Sequence, residues 1–108
     1  MVEERRESCR VPFGGRAYLT YAGRCRSEAV VDISKNGLQL SSGARLKPGR
    51  EVKVFLPLPS RRGWRLCLLK GEVARRARGA QGAALGIKLS PDAIDTRALL
   101  ADYVARAS

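Results

Sequence analysis

The chain alternates apolar and polar residues with a period of two over most of its length, which is the pattern of half-buried β-strands. Six such segments are each bounded by Gly, Pro or another turn signal, and they cover residues 16–21, 24–34, 38–41, 51–58, 64–77 and 83–89. In the second segment the alternation places Ala29, Val31 and Ile33 on the core side. In the fifth, Gly71 predicts a bulge or bend.

A helix is predicted after the last strand. Ser90, Pro91 and Asp92 supply an N-cap, a proline at the first helical position and an acidic first turn, and the helix continues to about Ala105. Ile94, Ala98, Ala101 and Ala105 form its apolar stripe, with Val104 beside it. Six strands and one closing helix predict an all-β domain with one C-terminal helix, built as a six-stranded antiparallel β-barrel.

The first 15 residues differ from the rest of the chain. They are rich in charge and then contain Pro12 and the pair Gly14-Gly15, so they are predicted to form a flexible basic arm that lacks the apolar surface to fold alone. Residues 16–108 are predicted to form the barrel with its helix. A length of 108 residues fits one domain with a modest core.

Charge and composition restrict the function. The chain has 21 Lys and Arg residues against 10 Asp and Glu, for a net charge of +11, which predicts an anionic partner. It has no His and three Cys without metal-binding spacing, so neither a zinc site, a cofactor nor a disulfide framework is expected. No nucleophile stands beside a base, so we expect no enzyme. No apolar run could span a membrane, and reduced thiols favour a cytoplasmic location.

Two short motifs carry the candidate chemistry. Arg6 and Arg10 form an RxxxR pair, and Asp32, Ser34 and Gly37 form a DxSxxG sequence at the end of the second strand. A carboxylate is a natural acceptor for the two adjacent donors of a guanine Watson–Crick edge, and an arginine fork matches guanine O6 and N7. Asp32 and Ser34 are placed together on the outward face, and Gly37 is expected to turn with positive φ.

These motifs, in this order and separation, resemble the PilZ domain, the bacterial receptor module for cyclic di-GMP. The likeness extends over roughly residues 5–104, and residues 85–89 look like the last strand of the family, although Leu89 stands where an aromatic residue is common. The resemblance implies a β-barrel that binds cyclic di-GMP through Arg6, Arg10, Asp32, Ser34 and Gly37. It also implies second-messenger signalling to an unidentified downstream protein, because the sequence shows no effector domain.

Arg5 extends the expected site. In the PilZ family an arginine directly before RxxxR looks associated with two mutually intercalated nucleotides. A stacked pair carries four phosphate charges and presents guanine faces on which a planar cation can stack. The sequence therefore predicts two molecules of cyclic di-GMP per chain.

Several alternatives stay open from the sequence. The chain could be a basic small barrel that binds nucleic acid, which its few aromatics disfavour, or a PilZ-like scaffold that docks a protein without nucleotide. Asp32 could pair with Arg24 or Arg26. Trp64 is interpreted as a packing residue at the barrel end. The arginines between Arg61 and Arg78 could be a solvated face, an extension of the anion site or a docking patch.

Overall fold

The structure is a computed structural model that describes residues 10–79, 82–90 and 94–107. Its described elements are seven strands and one helix: β1 (Val11–Pro12), β2 (Arg16–Tyr21), β3 (Arg24–Ser34), β4 (Gly37–Ser41), β5 (Glu51–Ser60), β6 (Gly63–Gly79), β7 (Gly82–Leu89) and α1 (Ile94–Ala107). All six predicted strands are present with boundaries within two residues of the prediction. The predicted N-cap lies mostly outside the described residues, because residues 91–93 are not among them.

Six of the strands close into an antiparallel barrel. Their order is β3, β2, β5, β6, β7 and β4, and β4 pairs back onto β3 to complete the ring. The inward faces bury a core that includes Leu19, Val54 and Leu69, none of which is exposed. The prediction of a six-stranded antiparallel barrel with one C-terminal helix is confirmed.

The helix packs against β3, β5 and β6 and covers the core there. Its buried side chains are Leu100 and Val104, and Leu99 and Tyr103 pack beside them. The predicted stripe of alanines is wrong, because Ala98 and Ala105 are exposed. The larger side chains take the buried face, since each buries more apolar surface than an alanine.

Part of the predicted N-terminal arm belongs to the barrel. Val11–Pro12 pair with β3, so the description of residues 1–15 as an arm without secondary structure is wrong for these two. Val11 and Phe13 are buried, and the Phe13 N–H donates to Val31 O at 3.2 Å. The Phe13 ring also packs edge-on against the Tyr103 ring, with 5.6 Å between the ring centroids. The apolar pair is enough to anchor the chain here.

Two β-bulges change which side chains face outward. In β3 the register with β4 shifts between Val30 and Asp32, so Val30 is buried and Val31 is 44% exposed. The predicted inward Val31 is therefore wrong, because the extra residue reverses the alternation. In β6 the bulge lies between Val73 and Arg75, not at Gly71, which pairs regularly with both neighbouring strands.

Candidate functional site

The two motifs meet at the edge of β3. Pro12 of β1 pairs with Asp32, and this register brings Arg10, two residues earlier, beside the carboxylate. Arg10 Nη1 donates to Asp32 Oδ1 at 2.7 Å, and both side chains stay partly exposed, at 45% and 24%. Asp32 precedes the buried Ile33, so strand alternation keeps its side chain on the outer face, as the sequence predicts. Asp32 pairs with Arg10 rather than with either arginine considered from the sequence.

Arg26, one of those alternatives, has a different partner. Its Nε donates to Glu28 Oε2 at 2.8 Å, and Ser42 Oγ donates to the same oxygen at 2.7 Å. Glu28 is 7% exposed, so this is a buried carboxylate satisfied by one cation and one hydroxyl. The hydrogen bond between Arg26 and Glu28 and the negative charge of Glu28 raise the pKa of Arg26. Residues Ser42 and Glu28 therefore fix the start of the loop after β4 and are structural.

Ser34 organises the turn between β3 and β4. It is buried, and its Oγ accepts from Asn36 N–H at 3.3 Å and donates to Gly37 O at 3.4 Å. The prediction that Ser34 shares an outward face with Asp32 is wrong, because the hydroxyl is directed into a two-residue turn. The donor bond to Gly37 is long, so it is the weaker of the two.

Gly37 is needed for close packing rather than for backbone conformation. It lies in β4 without a positive φ, contrary to the prediction. A Cβ at this position would collide with Ile87 O on β7, with which β4 is paired. The glycine therefore lets β4 and β7 approach at the strand end that follows the DxSxxG turn.

The helix also reaches this turn. Arg97 Nη2 donates to Asn36 Oδ1 at 2.8 Å, and Leu89 N–H donates to Asn36 O at 2.9 Å. Arg97 Nε is buried and has no hydrogen-bond partner among the described residues. Nothing in the sequence linked Arg97 to the motif, since 61 residues separate it from Asn36.

A cavity of about 230 Å³ lies beside the motif residues. Its lining consists of Arg10, Ser34, Asn36, Gly37, Ala74, Arg75, Gly86, Ile87 and Lys88. Arg75 follows the β6 bulge, and its Cγ lies 3.2 Å from where a Cβ of Gly86 would be, so the glycine makes room for this arginine to cross β7. The structure thus adds two cations to the site. Arg75 comes from the arginine cluster for which an extension of the anion site was one open alternative, and Lys88 was not assigned to the site from the sequence.

The site is therefore a concave surface with cations on both sides and one outward carboxylate. Arg10, Asp32, Ser34 and Gly37 are brought together, and Arg5 and Arg6 lie outside the described residues. A larger cavity, about 810 Å³, also borders Lys88, and its other charged lining residues are Arg24, Lys53, Lys70, Glu51 and Glu72. Its lining includes no residue of either motif, and its two carboxylates oppose the binding of an anion, so the smaller cavity is the better candidate.

The fold and the site define a small antiparallel β-barrel that carries a cationic concave surface beside its β3–β4 turn. The chain belongs to the PilZ domain family, whose model matches residues 4–106. The resemblance drawn from the sequence is confirmed. Comparison with curated proteins finds no significant sequence match.

Three solved structures share the fold. The Bacillus subtilis inhibitor of motility MotI/DgrA is 16% identical with a TM-score of 0.79, and the match covers 90% of this chain and 48% of that one. The Borreliella burgdorferi PlzA protein in complex with c-di-GMP is 14% identical, at a TM-score of 0.66 over 95% and 44% of the chains. A tetrameric PilZ protein of Xanthomonas campestris is 24% identical, at 0.58 over 80% and 47%. The chain thus spans about half the length of these proteins.

No helix among the described residues is long and apolar enough to cross a bilayer. Within the same residues, no three His, Cys, Asp or Glu side chains are grouped as metal ligands would be.

Proposed function

We propose that the chain is a cytoplasmic receptor for cyclic di-GMP that signals to a downstream protein and performs no catalysis. The observation that supports this best is the 2.7 Å contact between Arg10 of RxxxR and Asp32 of DxSxxG, next to a cavity lined by further cations. Residues 22 positions apart have no local reason to meet, whereas a ligand that carries both guanine and phosphate needs both groups at one place.

Each residue has a role that follows from its surroundings. Asp32 accepts hydrogen bonds from guanine N1–H and N2–H₂. Because a guanidinium has five N–H groups, Arg10 can bind the Asp32 carboxylate and still donate to a phosphate or to guanine O6. Ser34 can exchange its long bond to Gly37 O for a phosphate oxygen. Arg75 and Lys88 add positive charge for the phosphates from the far side of the cavity.

Calorimetric titration with cyclic di-GMP tests the site. Arg10→Ala and Asp32→Ala should each weaken binding by about one to two decades, because a charged hydrogen bond contributes about 1.5–3 kcal/mol. Arg45→Ala, an exposed arginine in the loop after β4, is the matched control and should bind as the parent does. GTP and duplex DNA should fail to compete. Parent-like affinity in both site variants would refute the assignment.

The ligand count is a second prediction. Arg5 is expected to contact the second of two intercalated nucleotides, so the parent should bind two molecules of cyclic di-GMP per chain. Arg5→Leu should move the stoichiometry towards one, because leucine cannot offset the phosphate charge of the second nucleotide. Calorimetric stoichiometry measures this directly. A stoichiometry of one in the unmodified chain would contradict this prediction, but it would not contradict the assignment of the binding site.

A further inference from the structure

The outer face of the β5–β6 hairpin carries an apolar surface that neither the core nor the nucleotide site uses. This hairpin patch consists of Tyr18, Phe55, Pro57, Pro59, Trp64, Leu66 and Leu68. Its members lie opposite one another in rows, with Tyr18 and Leu68 flanking Phe55, then Pro57 beside Leu66, then Pro59 beside Trp64. Trp64 is 71% exposed and Leu66 is 64% exposed. A contiguous exposed apolar surface of this kind marks an interaction site.

The end of the hairpin projects beyond the neighbouring strands. The pairing of β2 with β5 reaches Phe55, and the pairing of β6 with β7 begins at Gly71. The last rows of the hairpin pair only with each other within the described residues. Trp64 is therefore not the packing residue expected from the sequence, because it lies on the outer face of the projecting end while Leu58 and Cys67 occupy the covered inner face.

The turn end of the patch is surrounded by positive charge alone in the sequence. Between Glu51 and Glu72 the chain has no acidic residue. The cations of this stretch are Lys53, Arg61, Arg62, Arg65 and Lys70. Lys53 and Lys70 lie directly opposite each other at the other end of the patch, where Glu51 and Glu72 occupy the next row on the same face and offset their charge. The two turn arginines next to Trp64 have no acidic residue nearby in the chain, so the positive charge of the patch is concentrated at the turn.

We propose that the hairpin patch docks on the surface of an anionic lipid bilayer. Trp64 and the leucines enter the headgroup region, where an indole ring is favoured, and Arg61 and Arg62 at the turn contact lipid phosphates. A bilayer complements this arrangement, because it offers apolar depth and diffuse negative charge together.

The other occupants fit the same observations less well. In a dimer formed through this patch, the turn arginines of the two copies would face each other and the two net charges of +11 would repel. Pro57 and Pro59 lack N–H donors, which disfavours addition of a peptide strand along β5. Tyr18 and Phe55 are separated from Trp64 by the row of Pro57 and Leu66, so the aromatic side chains form no continuous surface on which successive nucleic-acid bases could stack. None of the patch residues belongs to the nucleotide site, so the proposal does not depend on the proposed function.

Vesicle binding by the full chain tests the proposal, and Trp64, the single tryptophan, reports the contact itself. With vesicles of equal parts phosphatidylcholine and phosphatidylglycerol, we expect the protein to co-sediment and its tryptophan emission to shift to shorter wavelength. With vesicles of phosphatidylcholine alone, binding should be much weaker. The absence of binding to the anionic vesicles overturns the proposal.

Matched variants separate docking from general attraction of a basic protein. Arg61→Gln/Arg62→Gln should lower the partition coefficient roughly tenfold to thirtyfold, because each basic residue near an anionic surface contributes about fivefold. Arg45→Gln/Arg50→Gln removes the same charge from the exposed loop after β4 and should change it little. Equal losses in the two double variants would show non-specific attraction and contradict a docking surface.

The apolar contribution has its own variant. Leu66→Ser keeps the tryptophan reporter and the charge, and we expect about tenfold weaker binding to anionic vesicles with an unchanged circular dichroism spectrum. Sedimentation velocity of the parent should give a monomer. A dimer that dissociates in Leu66→Ser, or an oligonucleotide that shifts the tryptophan emission more than vesicles do, would assign the patch to another occupant and overturn the proposal.

Discussion

At the scale of single residues, exposure decides whether a polar contact serves stability or binding. Arg10 and Asp32 form a short ion pair, but both remain partly in water, where such a pair contributes at most about 1 kcal/mol to stability. Glu28 makes similar contacts while almost fully buried, and losing it would leave Ser42 and Arg26 without their acceptor. The exposed pair is the one free to exchange its partner for a ligand.

Two of the three cysteines, Cys25 and Cys67, lie in the described residues and give a prediction at the same scale. Burial raises the pKa of Cys67, an effect that nearby Arg65 partly opposes, whereas Cys25 is exposed. We expect iodoacetamide to alkylate Cys25 readily and Cys67 only after unfolding, as read by mass spectrometry of each peptide.

The same shift has a defined pH dependence. Because the folded pKa of Cys67 lies above the unfolded one, its stabilising contribution is complete below the ordinary thiol pKa of about 8.5 and is lost as pH rises towards the folded value. The free energy of unfolding should therefore fall less steeply above that pH in Cys67→Ala than in the parent. In the alkylation experiment, equal rates for Cys25 and Cys67 in the folded protein would contradict the burial of the Cys67 thiol.

At the scale of elements, irregularities of the strands build the site. The bulge in β3 leaves the consecutive residues Val31 and Asp32 both on the outer face, and the bulge in β6 brings Arg75 over Gly86 towards the cavity. Arg97 of α1 holds the β3–β4 turn through Asn36. The site thus depends on two bulges and one helix contact in addition to the motif itself.

Gly37→Ala distinguishes packing from ligand contact. A methyl group there would collide with Ile87 O in β7, so we expect the free energy of unfolding to fall by roughly 2–4 kcal/mol in denaturant titrations. Gly14→Ala is the control, since nothing lies within 4 Å of its Cβ and its φ is not positive, and the change should stay within about 1 kcal/mol. Undiminished stability with lost nucleotide binding would instead assign Gly37 to the ligand.

At the scale of the whole molecule, the proposed function requires that a signal pass from the bound nucleotide to another protein. The composition of residues 1–9 predicts a segment that cannot fold alone, whereas Val11 and Phe13 anchor the chain immediately after it. We propose that ligand binding orders the arm across the nucleotide and so creates a new surface for the downstream partner.

Amide hydrogen exchange measures this ordering. Residues 5–10 should exchange rapidly in the free protein and become protected with cyclic di-GMP. Phe13 should be protected in both states, because its N–H already donates to Val31 O. Protection of residues 5–10 before ligand is added would remove the switch from the mechanism while leaving nucleotide binding in place.

The sequence by itself determined the strand segments, the closed barrel with its helix, and the family, because alternation, turn residues and motif spacing are local properties of the chain. It also placed Asp32 and Arg10 among the candidates, although it left their partners open. A period-two pattern has no means of locating an extra residue, so the exposure of Val31 and the position of Arg75 could not be read from it.

Only the tertiary structure decided the contacts between distant segments. It brought Arg10 and Arg97 within hydrogen-bond distance of Asp32 and Asn36, respectively. It also packed Gly37 against Ile87 O and exposed Trp64 to solvent. Each of these outcomes depends on how the strands pair around the closed barrel and on which neighbour is then opposite. The physical reason is that a side chain's alternation with its neighbours follows from local backbone geometry, whereas its partner follows from register, bulges and closure of the whole sheet.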